Sequence, residues 1–519
     1  MIYLHKADLL VFAFYFLIFV TIAFYAGRKK RVLAADFFIN QNRLPWFVIG
    51  FSMIASGISS EQFLGTVGFA YEHGLSVANW EWLNGPSILI LVFLFIPFYL
   101  KKKIVTMPHF LEHRFDGRVR TIFALISVLI YVFINLAGVI YSGGFALSRI
   151  LHLNIYLCIW IIAFFAAFFV MYGGMATIAW TNVFQASMLL ISGLLLFLIG
   201  LLKVPGGFSS ILGEGSRSHL ILPASDPDIP WTGLLVLVLS TNIWYYCTNQ
   251  NINQSTLGAK NQWHAQIGIL FAGFLWLFIP FADTFPGLIA YALNPDLPKD
   301  NAFIYAVQEL LPTGLTGIVF AVLCAAVITA IQAGVNGVST IFTFDFYQRF
   351  IKPSASEKEL IRTGRIFTAA VLLLGATWAP MVLRFGHIFS YFQECWAFVA
   401  IPIATVFVAG ILWRKFHAKV AFYILLLTFP MFLMPYVLRI LKIQMNVFNV
   451  AGITLFLTVL LVVFLTFMIR PVAEENKDQL IFSFSSSENS LQGIPWYRKV
   501  PFWAVIMMLL YAGVYALFW

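Results

Sequence analysis

The sequence predicts an all-α membrane protein with about 14 transmembrane helices. Three observations carry this. The chain is 61% hydrophobic and only 10% charged, whereas a soluble domain has about 25% charged and about 45–50% apolar residues. At 519 residues a soluble chain would form roughly two to four domains, and there is too little polar surface here to coat them. The apolar runs are long and continuous rather than short and alternating, which selects helices over a barrel. The net charge of +10 does not indicate a nucleic-acid partner. It arises from scarce acids, 22 against 32 Lys and Arg, and no basic domain holds it.

Crossing a hydrocarbon core of roughly 30 Å takes about 20 apolar residues at the helical rise. Such stretches occur at 7–27, 45–70, 79–100, 121–148, 154–173, 178–202 and 230–254, then at 266–292, 316–345, 366–383, 387–413, 419–438, 446–469 and 500–518. The first lacks a basic leader and a small-residue cleavage site, and Lys29-Lys30-Arg31 follows it, so it reads as a retained helix. Lys and Arg are retained on the cytoplasmic side. With both termini outside, about three-quarters of them fall in inner loops, around Arg28–Arg43, Lys101–Arg120, Arg349–Arg365, Arg414–Lys419 and Arg470–Lys499. The expected location is the plasma (inner) membrane.

The four cysteines, Cys158, Cys247, Cys324 and Cys395, all fall within spans and read as small buried residues, not as disulfides or a metal site. The longest polar stretches are the outer loop at 203–229 and the inner loop at 470–499. The latter holds the Ser-rich run 482–488, which reads as mobile.

Ionisable and polar residues inside spans are functional candidates, because a charge at mid-bilayer costs at least a few kcal/mol. Glu81 lies between Trp80 and Trp82 at the outer end of the third span. It reads either as a hydrogen-bonding group for a polyhydroxyl substrate or as an interfacial acid in an aromatic belt. The second span has an unusual middle, Ala55-Ser56-Gly57-Ile58-Ser59-Ser60-Glu61-Gln62. This predicts a broken helix, since unwound backbone at membrane depth is tolerated only beside a cavity or within protein; the alternative is a small-residue packing face. A second polar cluster runs from Ser240 through Asn242 and Tyr245 to Gln250. Asn135 and Gln393-Glu394 add further candidates. Amides, phenols and neighbouring aromatics suit sugars, which offer hydroxyl rims and apolar C–H faces; each alone also serves as glue between helices. Asp283 reads as a proton relay or as a residue at a helix break before Pro286.

These clusters carry a family resemblance. The run from Ala35-Asp36-Phe37-Phe38 through Arg43-Leu44-Pro45-Trp46 to Glu61-Gln62-Phe63-Leu64-Gly65 resembles the lead-in and first core helix of the sodium/solute symporters. Glu81-Trp82 resembles their sodium/sugar cotransporter branch. Tyr172-Gly173-Gly174-Met175-Ala176 with Trp180-Thr181 and Gln185, Asn249-Gln250 with Gln254 and Thr256-Leu257, and Ile341-Phe342-Thr343 with Asp345 and Tyr347 resemble later blocks in order. The resemblance spans about Ala35 to Lys415. It implies a leucine-transporter type of fold: inverted five-helix repeats at 45–204 and 228–413, a first helix and inner loop at 1–44, an outer loop at 205–227 and three helices at 414–519. Substrate would bind at the midplane beside the broken helices. By resemblance, Gln62, Glu81, Asn84, Asn135, Asn242, Tyr245 and Gln393 occupy sugar-contacting positions. Trp276 stands where close relatives place a sugar-contacting lysine, and Gly57 where they place an amide.

The family's sodium site implies carbonyl ligands at Ala55, Ile58 and Ala326 and two serine hydroxyls. Here Thr329-Ala330 stands at the serines, so one hydroxyl is kept and one becomes a methyl. Asn182 stands where an acidic residue usually follows Trp180-Thr181, and Gln332 adds an amide one turn from Thr329. The expected function is therefore secondary transport of a sugar or polyol, coupled to Na⁺, by alternating access, with no organic cofactor, no obligate protein partner and no nucleic-acid partner. The altered site leaves a uniporter or proton-coupled carrier as the rival. A sugar sensor or a membrane enzyme is disfavoured, because no signalling domain, metal cluster or nucleophile–base pair stands out.

Overall fold

The computed structural model describes residues 5–28, 33–59, 61–385, 388–442, 445–470 and 495–519. Lys29–Arg31, Ser60 and the Ser-rich run 482–488 lie outside the described residues. Sixteen helical segments organise the chain: α1 (Lys6–Gly27), α2 (Trp46–Gly57), α3 (Glu61–Lys101), α4 (Gly117–Arg149), α5 (Ile155–Lys203), α6 (231–248), α7 (Gln250–Leu257), α8 (Gln262–Trp276), α9 (Pro280–Leu293), α10 (Leu315–Ile351), α11 (Glu357–Val382), α12 (Ile388–Leu412), α13 (Ala418–Phe432), α14 (Met434–Ile440), α15 (Val447–Met468) and α16 (Val500–Phe518). Short helices such as Met107–Arg114 fill the connections.

The layers follow from apolar content. α10 is almost wholly buried and forms the centre, while α1, α15 and α16 lie at the periphery. Large apolar side chains such as Phe14, Phe164, Leu198, Phe456 and Leu509 face outward. Exposed apolar side chains of this kind suit a surface solvated by lipid, where a helix pairs its own backbone polar groups. α5 runs antiparallel to α10: Gln185 Nε2 donates to the Val322 carbonyl at 2.8 Å, and Met175 Sδ meets Asn336 Nδ2 at 3.8 Å.

Among the described residues nine segments are long and apolar enough to cross a membrane, or eleven when each bent pair counts as one. This is below the expected 14 because expected spans run together or are broken. α5 has 49 residues; a straight helix of that length would be about 74 Å long, well beyond a roughly 30 Å core. Gly174 divides it, with φ +57°. A β-carbon there would sit 2.4 Å from the Phe37 carbonyl oxygen, so only glycine fits both the backbone and the space.

The expected break in the second span is present. α2 stops at Gly57, and Ile58 is extended (φ −119°, ψ 123°). Asn249 is likewise extended between α6 and α7. α8 and α9 meet at a 41° bend, and α13 and α14 at 43°, each with a proline next to the bend that cannot supply a helical N–H. Asp283 sits at the first of these bends, in the turn Pro280–Asp283.

Candidate functional site

The break after Gly57 is held open by side chains. The Ser59 N–H, which in a continuing helix would bond the Ala55 carbonyl, donates to Gln62 Oε1 at 2.9 Å. Gln62 Nε2 donates to the Gly57 carbonyl at 3.3 Å, and the Tyr245 hydroxyl donates to the same oxygen at 3.0 Å. One polar side chain from each of α3 and α6 therefore replaces helical hydrogen bonds at the break. The Trp276 indole from α8 lies over Gly57, where an added β-carbon would be 3.2 Å from its ring.

A cavity opens beside this break. Gln62, Glu81, Asn242, Tyr245, Trp276 and Gln393 line it, drawn from α3, α6, α8 and α12. Trp276 Nε1 donates to Glu81 Oε2 at 2.5 Å, and Asn242 Nδ2 donates to the Leu83 carbonyl at 3.0 Å. The other two predicted residues stand one layer back. Asn84 lies behind Tyr246, its amide 3.4 Å from that hydroxyl, and accepts from Tyr511 of α16 at 2.9 Å. Asn135 accepts from Trp396 Nε1 at 2.9 Å and lines a separate, smaller cavity with Tyr131, Trp244 and Gln250.

Several residues that line the main cavity were absent from the predicted set: Glu61, Thr66, Trp80, Thr241, Tyr246, Phe392 and Trp396. Helical spacing signals one of them, since Trp396 follows Gln393 by three residues and shares its face. Two other in-span acids lie apart from this lining. Both Glu394 oxygens accept from the Arg439 guanidinium, at 3.0 and 2.8 Å. Asp283 Oδ1 accepts from the Thr284 hydroxyl at 3.0 Å, while its Oδ2 is buried without a hydrogen-bond partner among the described residues.

Further buried polar groups lie on α2, α5 and α10, which pack against one another. Asn182 Nδ2 donates to Ser52 Oγ at 3.0 Å and Ser56 Oγ at 3.2 Å. The Thr329 hydroxyl donates to the Ala325 and Ala326 carbonyls at 3.1 and 3.0 Å, which leaves its oxygen lone pairs available. Asn182 Oδ1 and both polar atoms of Gln332 are buried without a hydrogen-bond partner among the described residues. Ala330 contributes only its methyl on the side-chain face.

At the far end of α4 a charged cluster ties three elements together. Arg120 bonds Glu112 of the short helix Met107–Arg114, Asp345 of α10 at 2.5 Å, and the Phe344 carbonyl at 3.2 Å. Burial pushes the His109 imidazole down to about 4, with Arg120 adding to the effect. Burial also acts on Glu112, in the raising direction, but Arg120 and Arg349 outweigh it and hold the carboxyl below its usual range.

The sequence profile of the sodium:solute symporter family matches residues 37–427. The chain belongs to that family. It is 33% identical over 453 residues to the sodium/glucose cotransporter of Vibrio parahaemolyticus, covering 79% of this chain and 82% of that one. It is 32% identical over 461 residues to the sodium/myo-inositol cotransporter 2 of Mus musculus, covering 81% and 68%. A substrate-bound, outward-open Na⁺-coupled sialic acid symporter superposes with a TM-score of 0.78 at 20% identity, over 90% of this chain and 99% of that one. A nucleobase-cation-symport-1 family transporter in a closed conformation gives 0.55 at 16% identity, over 85% and 96%. The fold is thus the leucine-transporter type. This family member is an integral, multi-pass membrane transporter and not an enzyme, and its family and relatives support sodium-coupled solute symport.

Proposed function

We propose that the substrate is a sugar or related polyol, held in the cavity beside the α2–α3 break and moved with Na⁺ by alternating access. The observation that carries this is the convergence of Gln62, Glu81, Asn242, Tyr245, Trp276 and Gln393 from four segments on one cavity. Their carboxylate, amides and phenol offer hydrogen bonds to hydroxyls, and the rings offer faces to C–H groups. Asn84 and Asn135 act from behind, through Tyr246 and Trp396. The names of the sodium/glucose and sodium/myo-inositol cotransporters support the same class. In this reading the repeats are 45–204 and 228–413, the sodium ligands are the Ala55, Ile58 and Ala326 carbonyls with the Thr329 hydroxyl, and the Arg120 cluster faces the cytoplasm. The membrane is the plasma (inner) membrane, with both termini outside.

Linkage supplies the mechanism: a cation that binds only the outward-facing state shifts the population toward it and preorganises the substrate site. The Ala330 methyl and the Asn182 amide favour one second reading, a carrier that uses H⁺ or no ion. Proteoliposome uptake of a labelled sugar and polyol panel under an inward Na⁺ gradient, an inward H⁺ gradient or neither separates these. Na⁺-dependent uptake supports the main reading, and equal uptake in all three removes it. In the second case Ala330→Ser with Asn182→Asp creates Na⁺ dependence, because it restores a hydroxyl and a carboxylate.

A further inference from the structure

We propose that the cargo of this cavity carries a positive charge: an ammonium-bearing polyol of the amino-sugar class. The inference rests on the polyol reading above and narrows it. Two carboxylates, Glu61 and Glu81, line the same cavity, and among the described residues no Lys, Arg or His lines it. Glu61 is about nine-tenths buried, and its Oε2 has no hydrogen-bond partner among the described residues. Glu81 has one donor on Oε2, the Trp276 indole. A neutral polyol satisfies hydrogen bonds but supplies no counter-charge. A buried carboxylate without one is costly by several kcal/mol even after relaxation and takes up a proton instead; an ammonium can take that proton's place, as a hydroxyl cannot.

The remaining walls are built for the same ligand. Tyr245, Tyr246, Trp276 and Trp396 present rings to the cavity. They brace one another edge-on or tilted, with Tyr246 and Trp276 at 5.1 Å and 90° and Tyr245 and Trp396 at 5.4 Å and 44°. Aromatic faces attract a cation through their negative quadrupole, and tryptophan does so most strongly. Carboxylates set among such rings form an ammonium site, and the amides of Gln62 and Gln393 remain for hydroxyls.

Purified protein in proteoliposomes, in saturating Na⁺, is assayed for binding and uptake of glucosamine, glucose and N-acetylglucosamine, and of N-methylglucamine beside sorbitol. Each set keeps the polyol and changes the charge. The expected result is that the charged members bind about tenfold or more tighter than their neutral counterparts, that acetylation of the amine removes the advantage, and that Glu61→Gln lowers the charged-to-neutral affinity ratio about tenfold. Equal or tighter binding of the neutral members overturns the charged-cargo proposal and leaves the polyol reading standing. If no member of the panel binds or is taken up, both fall.

Discussion

Replacing Tyr511 with Phe tests whether the last helix reaches the substrate site. The Tyr511 hydroxyl of α16 lies 2.9 Å from Asn84 Oδ1 and 2.9 Å from the Gly273 carbonyl. It has a single proton, so the two acceptors share one hydrogen bond. Asn84 is fully buried, so no water replaces the lost donor. Leaving a buried acceptor unsatisfied costs about 1–3 kcal/mol. With one shared proton the lower part of that range applies, about 1–1.5 kcal/mol, or roughly 5- to 13-fold in an equilibrium constant. Asn84 in turn steadies Tyr246 in the cavity wall. Tyr511→Phe should therefore raise the KM for uptake by about 5- to 10-fold with the maximal rate within about twofold, the pattern of lost uniform binding. Tyr515→Phe is the control on the same helix. Its hydroxyl donates to Asn79 at 2.7 Å, and the Asn79 amide turns to the Ser76 and Leu220 carbonyls. That variant should keep its KM. An unchanged KM in Tyr511→Phe, or the same change in both variants, refutes the coupling.

Three further outcomes follow from the same geometry. Arg120→Gln leaves Asp345, a fully buried acid, without its cation, and should lower stability by about 3–5 kcal/mol; thermal melting in detergent reads this, and adding Asp345→Asn should restore most of it. Gly334→Ala places a β-carbon 0.9 Å from the Tyr131 hydroxyl and should abolish the monodisperse peak in size exclusion, while Gly513→Ala, with open space around it, should not. The folded state holds the His109 imidazole near 4 against an ordinary 6.5, so folding favours its neutral form. That stabilisation is complete above about pH 6.5 and is lost as pH falls toward 4. The melting temperature should fall across that window, and His109→Gln should flatten the fall.

Much of the fold was legible because lipid imposes a simple rule. A segment that crosses hydrocarbon must be apolar and helical throughout, so long apolar runs mark helices directly. The break at Ile58 was legible for the converse reason: Gly57, Ser59 and Glu61 are poor lipid-facing residues and good cavity-lining ones. Side-chain partners were less legible. Arg114 read as one more cytoplasmic charge, yet it is buried and donates to the Gly410, Trp413 and Phe416 carbonyls at the end of α12. It caps a helix C-terminus, where a cation and unsatisfied carbonyls meet favourably. Glu394 read as a functional candidate within a span, and Arg439, 45 positions on, pairs with it.

The sequence by itself determined the solvent, the helical class, the family and the residues that break the first core helix. All of these depend on local composition or on ordered blocks along the chain. Only the tertiary structure decided which polar residues share a cavity. It put Asn135 behind Trp396, placed Asn84 against Tyr511 427 positions away, and gathered Glu61, Glu81 and the aromatic rings with no basic residue among the described lining. Helix periodicity fixes which face of a helix a residue lies on, but the packing of helices far apart in the chain decides what that face meets.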